Sequence, residues 1–292
     1  MRRSERRAGI CYLSPVPHPF LTAHWANIVL VSYAVPPAAL RAYIPAAPGG
    51  SGAKLELDLR TDLLRGPEPL AVVTLAALEF RRTRILGIGW PGLRNFAHIC
   101  LRFYVKHEGR RGVVFVRQVV PSNVLMWGAR KFYNEPYVAA PIESEVKQQH
   151  RTIGVEYRLV FPQGGMVTGA SALGSKAKGV PMHEHLIRVI GSKPVMRPGP
   201  DSVENWIKER QWGFGLDRNG VPGVFELIHP TWGIYPVLEC DVRLDFASVF
   251  GADWGFLSGL KPTSTILAAG SEVAVFPKQA TVGVRWSEKG QK

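Results

Sequence analysis

The sequence is short of the residues that staple or clasp small proteins. Among 292 residues there are only three cysteines, Cys11, Cys100 and Cys240, far apart and without a C-x-x-C pair. That number and spacing exclude a disulfide framework and a cysteine-based zinc knot, and fit three reduced thiols in a cytoplasmic protein. Long apolar runs are also missing. The longest, residues 28–35 and 70–78, are of strand length, far from the roughly 20 residues a membrane helix needs. The basic start, Met1-Arg2-Arg3-Ser4-Glu5-Arg6-Arg7, leads into no apolar segment of signal length, so no secretory leader is expected.

Acidic residues are in the minority, 23 against 36 Lys and Arg, giving a formal charge of +13. Such a balance admits nucleic acid or an anionic membrane surface as a partner. The arginines, however, are scattered over separate clusters (residues 2–7, 81–84 and 110–111) with no nucleic-acid motif and no interleaved aromatic platform. The expectation is a solvated basic surface with a few arginines turned to a small anion, and neither nucleic acid nor membrane as partner. Familiar catalytic signatures are absent as well. There is no G-x-S-x-G elbow and no H-E-x-x-H, and the glycines of residues 213–220 lack the Lys-Ser/Thr of a phosphate loop, reading instead as a hairpin turn. His183-Glu184-His185 would set two imidazoles on one side of a strand, but no third and fourth ligand follows at metal-site spacing, so neither metal nor cofactor is expected.

What the chain does have is strand pattern. Residues 54–60 alternate in part, 70–80 form a near-continuous apolar run, and 96–107 alternate, with Ile99, Leu101, Phe103 and Val105 on one face and His98, Cys100, Arg102 and Tyr104 on the other. A turn at 107–110 leads into a second strand, 112–120. Residues 153–161 and 165–173 read as another hairpin around Pro162-Gln163-Gly164, and 237–246 and 271–277 as further strands. Three short helices are expected: one opening at Pro36-Pro37, one over 123–133 behind a Ser122 or Asn123 cap, and one over 202–210 behind Ser202. The fold class read from this is mainly β (α+β), a mostly antiparallel barrel or cone with a few short helices, in one domain over 1–292 with tails at 1–12 and 280–292.

Several segments together resemble the YqjF-like family of uncharacterised proteins, a branch of the acetoacetate decarboxylase-like superfamily. They are Phe20-Leu21-Thr22-Ala23-His24-Trp25, residues 33–40, Leu101-Arg102-Phe103-Tyr104-Val105, residues 112–115, His229-Pro230-Thr231-Trp232 and residues 270–275, in that order from about residue 20 to 278. Residues 128–138 resemble the reactive-site segment of the decarboxylases. Aligned on Pro136, Arg130 takes the place of the family arginine, Tyr137 that of the Schiff-base lysine and Val138 that of its cationic neighbour. A lysine becomes nucleophilic through desolvation or a neighbouring cation, and acetoacetate decarboxylase is itself the standard example; tyrosine and valine form no imine. The resemblance therefore implies a barrel or cone with an internal cavity for a small molecule, but not the decarboxylase mechanism. The family also carries an acidic residue and an asparagine where His98 and Cys100 stand, so its acid–base roles do not transfer. Its decarboxylases are oligomers, which leaves a homo-oligomer open here.

The candidate ligand-contact residues are Arg102, Tyr137, His98, Tyr104, His229 and Trp232. A buried Arg102 needs an anion, supplied by a substrate carboxylate or by Glu135 or Glu143. Tyr137 either hydrogen-bonds a ligand oxygen or fills the lysine's volume. His98, able to carry positive charge, and His229 are the alternatives for moving a proton. Lys131, the nearest amine to the former reactive position, is expected to point away. Two classes stay open: a protein that binds a small anionic or carbonyl-bearing metabolite, and a lyase, isomerase or hydrolase acting on an oxo or hydroxy acid without an imine.

Overall fold

The structure is a computed structural model that describes residues 18–45, 55–63, 68–166, 171–173, 180–217 and 219–280. Cys11, Lys54 and the expected tails, apart from Ala280, lie outside them. In chain order the elements are β1 (Leu21–Val35), β2 (Glu56–Leu57), β3 (Ala71–Ile85), β4 (Phe96–His107), β5 (Arg110–Val120), α1 (Asn123–Tyr133), β6 (Tyr137–Ala139), β7 (Ile142–Gln148), β8 (Thr152–Pro162) and β9 (Met182–Ser192). There follow α2 (Val203–Lys208), β10 (Trp212–Leu216), β11 (Pro222–Ile228), β12 (Ile234–Tyr235), β13 (Val237–Arg243), α3 (Phe246–Phe250), β14 (Ser264–Val275) and β15 (Gln279–Ala280).

The large sheet runs β14-β1-β3-β4-β5-β10-β11, and β11 pairs back to β14, so the path returns on itself. The ladders of this ring are antiparallel except where β10 joins β5 in parallel. A second antiparallel sheet, β13-β9-β8-β7, covers one side of the ring. Alternation divides the strands between two cores. On β4, Ile99, Leu101, Phe103 and Val105 pack outward against Val155, Tyr157, Phe161 and Val189 of the covering sheet. Cys100 and Tyr104 face the other way, into a cluster with Ile28, Leu30, Trp206 and Trp232. Phe103 is fully buried, and its truncation to alanine should cost about 3–5 kcal/mol.

Two irregularities set which side chains face inward. At Asn27, φ is +53° and the register of β1 shifts by one residue against β3. This brings Trp25 onto the face of Ile28 and Leu30, where strict alternation would have opposed them. A second shift, between Leu101 and Arg102 opposite β5, puts Phe115 and Gln118 on the inner side together.

The expected helices and caps of 123–133 and 202–210 are present, the second shortened to α2; Ser122 and Ser202 Oγ accept from the amides of Leu125 (3.4 Å) and Asn205 (3.1 Å). The helix expected at Pro36 is a pair of 3-10 turns, Pro37–Ala39 and Arg41–Tyr43. Three expectations are corrected. Strand 54–60 is only Glu56–Leu57. The strand placed over 237–246 ends at Arg243, because Asp245 caps α3 through the Ser248 amide. The partner of β8 is not the 165–173 segment, part of which lies outside the described residues, but β7 on one side and β9 on the other. Among the described residues, no helix is long and apolar enough to cross a membrane.

Candidate functional site

β4 supplies the centre of the site because its even-numbered residues face the ring's interior. His98 is buried, and its Nε2 lies 3.2 Å from Gln118 Oε1 on β5. An amide oxygen only accepts, so Nε2 carries the proton and Nδ1 is left as an unpartnered acceptor. Burial is the main cause that lowers the His98 pKa to about 4, with the Arg102 charge acting in the same direction. The folded protein therefore holds a neutral imidazole at His98, the residue for which the sequence left a positive charge open. The thiol of Cys100 is pushed up to about 12 by burial and stays protonated.

Arg102 is half-buried, its guanidinium carbon 5.9 Å from the centre of the Tyr104 ring. Its Nε has no hydrogen-bond partner. Both internal partners weighed for it are corrected. Glu135 is engaged by Lys278 at 2.7 Å, and Glu143 is exposed on β7 in the covering sheet. Tyr104 is buried, and its hydroxyl is 2.7 Å from Thr74 Oγ1, which in turn is 2.8 Å from Ser32. The oxygen of Tyr104 is thus committed within the barrel, and its ring is the part open to a ligand.

His229, just beyond β11, has Nδ1 2.9 Å from its neighbour's carbonyl, Pro230 O. That carbonyl fixes the proton on Nδ1 and leaves Nε2 as a second buried, unpartnered acceptor. Burial lowers this histidine's pKa as well, opposed by the Pro230 carbonyl, while the charges of Arg102 and Lys208 also lower it. Trp232 stacks on His229 at 4.3 Å and donates its indole N–H to Ser271 Oγ at 2.8 Å. Trp25 lies 6.0 Å from the His229 ring and 5.8 Å from Trp232, with its own indole N–H unpartnered. Phe80 continues this aromatic wall, 5.7 Å from both Trp25 and His98.

Tyr137 opens β6, which lies parallel to β5 beside Gln118. Its ring is 6.1 Å from His98, so the position aligned with the decarboxylase lysine borders the same cluster. All six residues singled out in the sequence thus belong to one connected inner face. Lys131 lies over Trp127 at 4.6 Å on exposed α1, as expected. His183 and His185 share a face of β9, but among the described residues no group of three metal-ligating side chains forms.

Sequence reasoning missed Trp25, Gln118, Asp58 and the Lys208-Glu209-Arg210 run. The last closes the helix expected over 202–210, yet α2 ends at Lys208 and the chain turns inward. Lys208 is buried in an ion pair with Glu209, and Arg210 is 3% exposed. The only hint was Trp206-Ile207 directly before the charges. Two cavities of 330 and 290 Å³ lie elsewhere, between the ring and α3 and beneath β13.

The family described as DUF2071, an uncharacterized conserved protein, matches residues 22–272. The uncharacterized protein YqjF of Bacillus subtilis is 27% identical over 121 residues; the match covers 41% of this chain and 45% of that protein. Among solved structures, acetoacetate decarboxylase from Legionella pneumophila superposes with a TM-score of 0.50 at 11% identity over 96% of this chain and 98% of its own. The enduracididine biosynthesis enzyme MppR complexed with pyruvate gives 0.51 at 12%, over 93% of both. An acetoacetate decarboxylase-like enzyme from Sphingomonas wittichii gives 0.50 at 12%, over 94% and 100%. At such identities the likeness is one of fold.

Proposed function

Because the chain belongs to the DUF2071 family and shares the acetoacetate decarboxylase fold, we propose that its barrel binds a small hydroxy acid on the inner face. One observation carries this reading. Four buried polar atoms on residues of this connected face have no partner: the donors Arg102 Nε and Trp25 Nε1, and the acceptors His98 Nδ1 and His229 Nε2. Leaving such groups unmatched costs about 1–3 kcal/mol each, more for a charged one. Two donors call for an anion and two neutral imidazole lone pairs call for hydroxyl hydrogens. A carboxylate bearing a nearby hydroxyl answers the donors and one of the two lone pairs, because a hydroxyl carries a single hydrogen. Arg102, the charged member, anchors the carboxylate. Either His98 or His229 accepts the hydroxyl hydrogen, Tyr137 borders the His98 ring, and Trp232 and the Tyr104 ring wall the apolar part.

The second reading, an imine-independent enzyme, draws on the same two imidazoles. A neutral histidine beside a ligand hydroxyl is a general base in waiting, and Tyr137 would polarise the oxygen that gains charge. In either reading the protein works in a reducing cytoplasm, with its thiols free.

A thermal-shift screen with lactate, propionate and pyruvate, repeated with Arg102→Gln, tests the proposal. A ligand at 100 times its Kd stabilises by about 2.7 kcal/mol. Lactate should raise the melting temperature more than propionate, and Arg102→Gln should abolish both shifts. Equal shifts in wild type and variant would refute Arg102 as the anchor.

A further inference from the structure

Two guanidiniums lie over the Tyr104 ring. Arg102 lies 5.9 Å from the ring centre and Arg210 4.9 Å. Arg210 is 3% exposed, and only its Nη1 is bonded, to Asp58 Oδ2 at 2.8 Å; Nε and Nη2 have no partner. Asp58 is not free to serve Arg210 alone, because Arg111 grips both of its oxygens, at 2.8 and 3.0 Å. The neighbouring cations are already matched, Arg60 by Asp62 and Lys208 by Glu209. Arg111, half exposed, and the buried Arg210 therefore share the one carboxylate of Asp58, and Arg210 keeps two N–H groups unmatched. Trp206, whose ring lies 4.0 Å from the Arg210 guanidinium and 4.8 Å from Tyr104, adds another buried donor without a partner, its indole Nε1.

We propose that the ligand carries a second carboxylate, received by Arg210 Nε and Nη2 and the Trp206 indole N–H, so that the barrel selects short dicarboxylates. This rests on Arg102 as the first anchor. Both anchors lie within 5.9 Å of the centre of one aromatic ring, so an acid that reaches from one to the other needs only a short chain between its ends. A monocarboxylate would satisfy Arg102 and leave the Arg210 end unmatched.

Isothermal titration with succinate and glutarate, against butyrate and valerate of equal chain length, tests this. Wild-type protein should bind the better dicarboxylate at least about tenfold more tightly than its monocarboxylate, the ratio a charge-assisted hydrogen bond supplies. Arg210→Gln should erase that ratio while leaving monocarboxylate binding in place. Because Arg210 also holds Asp58, Trp206→Phe serves as a milder variant; it keeps the ring, removes one N–H, and should lower the ratio several-fold. Equal affinity for mono- and dicarboxylates, or a preference unchanged in both variants, would overturn the second anchor and leave the first standing. Binding of none of the four acids would remove both.

Discussion

Lys278 and Glu135 form a buried ion pair, with 6% and 5% of their side chains exposed and 2.7 Å between Nζ and Oε1. Lys278 also donates to Leu216 O at 3.1 Å. The pair holds the corner ahead of β6, where the Tyr137 amide donates to Glu135 O and the Gln118 amide to Pro136 O. Replacing Lys278 with methionine would leave a buried carboxylate with no counter-charge, at a cost of about 3–5 kcal/mol. With unfolding entropy of about 2.1 cal/mol/K per residue, that lowers the melting temperature by roughly 5–8 °C. The pH dependence separates this cause from lost packing. Burial raises the Glu135 pKa and Lys278 opposes the rise, so in the variant the rise is unopposed. A carboxyl whose folded pKa exceeds its unfolded one is penalised only where it must ionise. The penalty vanishes below the unfolded pKa, near 4.5, and grows as pH climbs toward the folded value. Urea unfolding at pH 7 and pH 5 should therefore show the deficit shrinking at pH 5. The double variant Glu135→Met with Lys278→Met should recover most of it, since no buried charge remains. A deficit equal at both pH values, or one below about 1 kcal/mol, would refute the assignment.

Three further outcomes are expected. The His98 pKa lies near 4 against an ordinary histidine value of 6.5, so stability should fall as pH drops from about 6.5 toward 4, by about 3 kcal/mol in all; His98→Gln should flatten that acid limb in a pH series of denaturant melts. Borohydride with pyruvate should add no mass to the protein, because Tyr137 and Val138 occupy the reactive positions and Lys208 is held by Glu209; an adduct mapped to any lysine would overturn this. Gly270 has φ +91° and packs against the Trp25 carbonyl, so Gly270→Ala should destabilise strongly, by about 3 kcal/mol or more, with loss of soluble expression or a collapsed melt as the readout.

The strand pattern of β4 was legible because alternation is local: Ile99 to Val105 met the covering sheet and His98 to Tyr104 the interior, as the period of two requires. The caps at Ser122 and Ser202 were legible for the same reason. The two register shifts were not. A bulge at Asn27 has no strong mark in a non-glycine sequence, yet it turns Trp25 inward beside His229. Long-range pairing was equally hidden. Asp58, Arg111 and Arg210 are far apart in sequence and meet only because β2 crosses the end of β4 and the chain after α2 folds into the ring. The β8–β9 pairing escaped because a nearer segment with strand-like composition offered an apparent partner.

The ring's closure is uneven. β1 and β3 are joined along nearly their whole length, whereas β11 meets β14 through only Leu227 with Val275 and Ile228 with Ala274, with the Phe276 amide on Glu226 O and two pairs to β15 following. His229 follows directly on one lip of this seam, and Ser271, which holds Trp232, lies on the other. Separating the lips would break these few bonds, while parting β1 from β3 would unzip a core strand. The thinly laddered seam thus lies beside His229 and Trp232, and opening it would disturb the aromatic wall of the inner face before any other part of it.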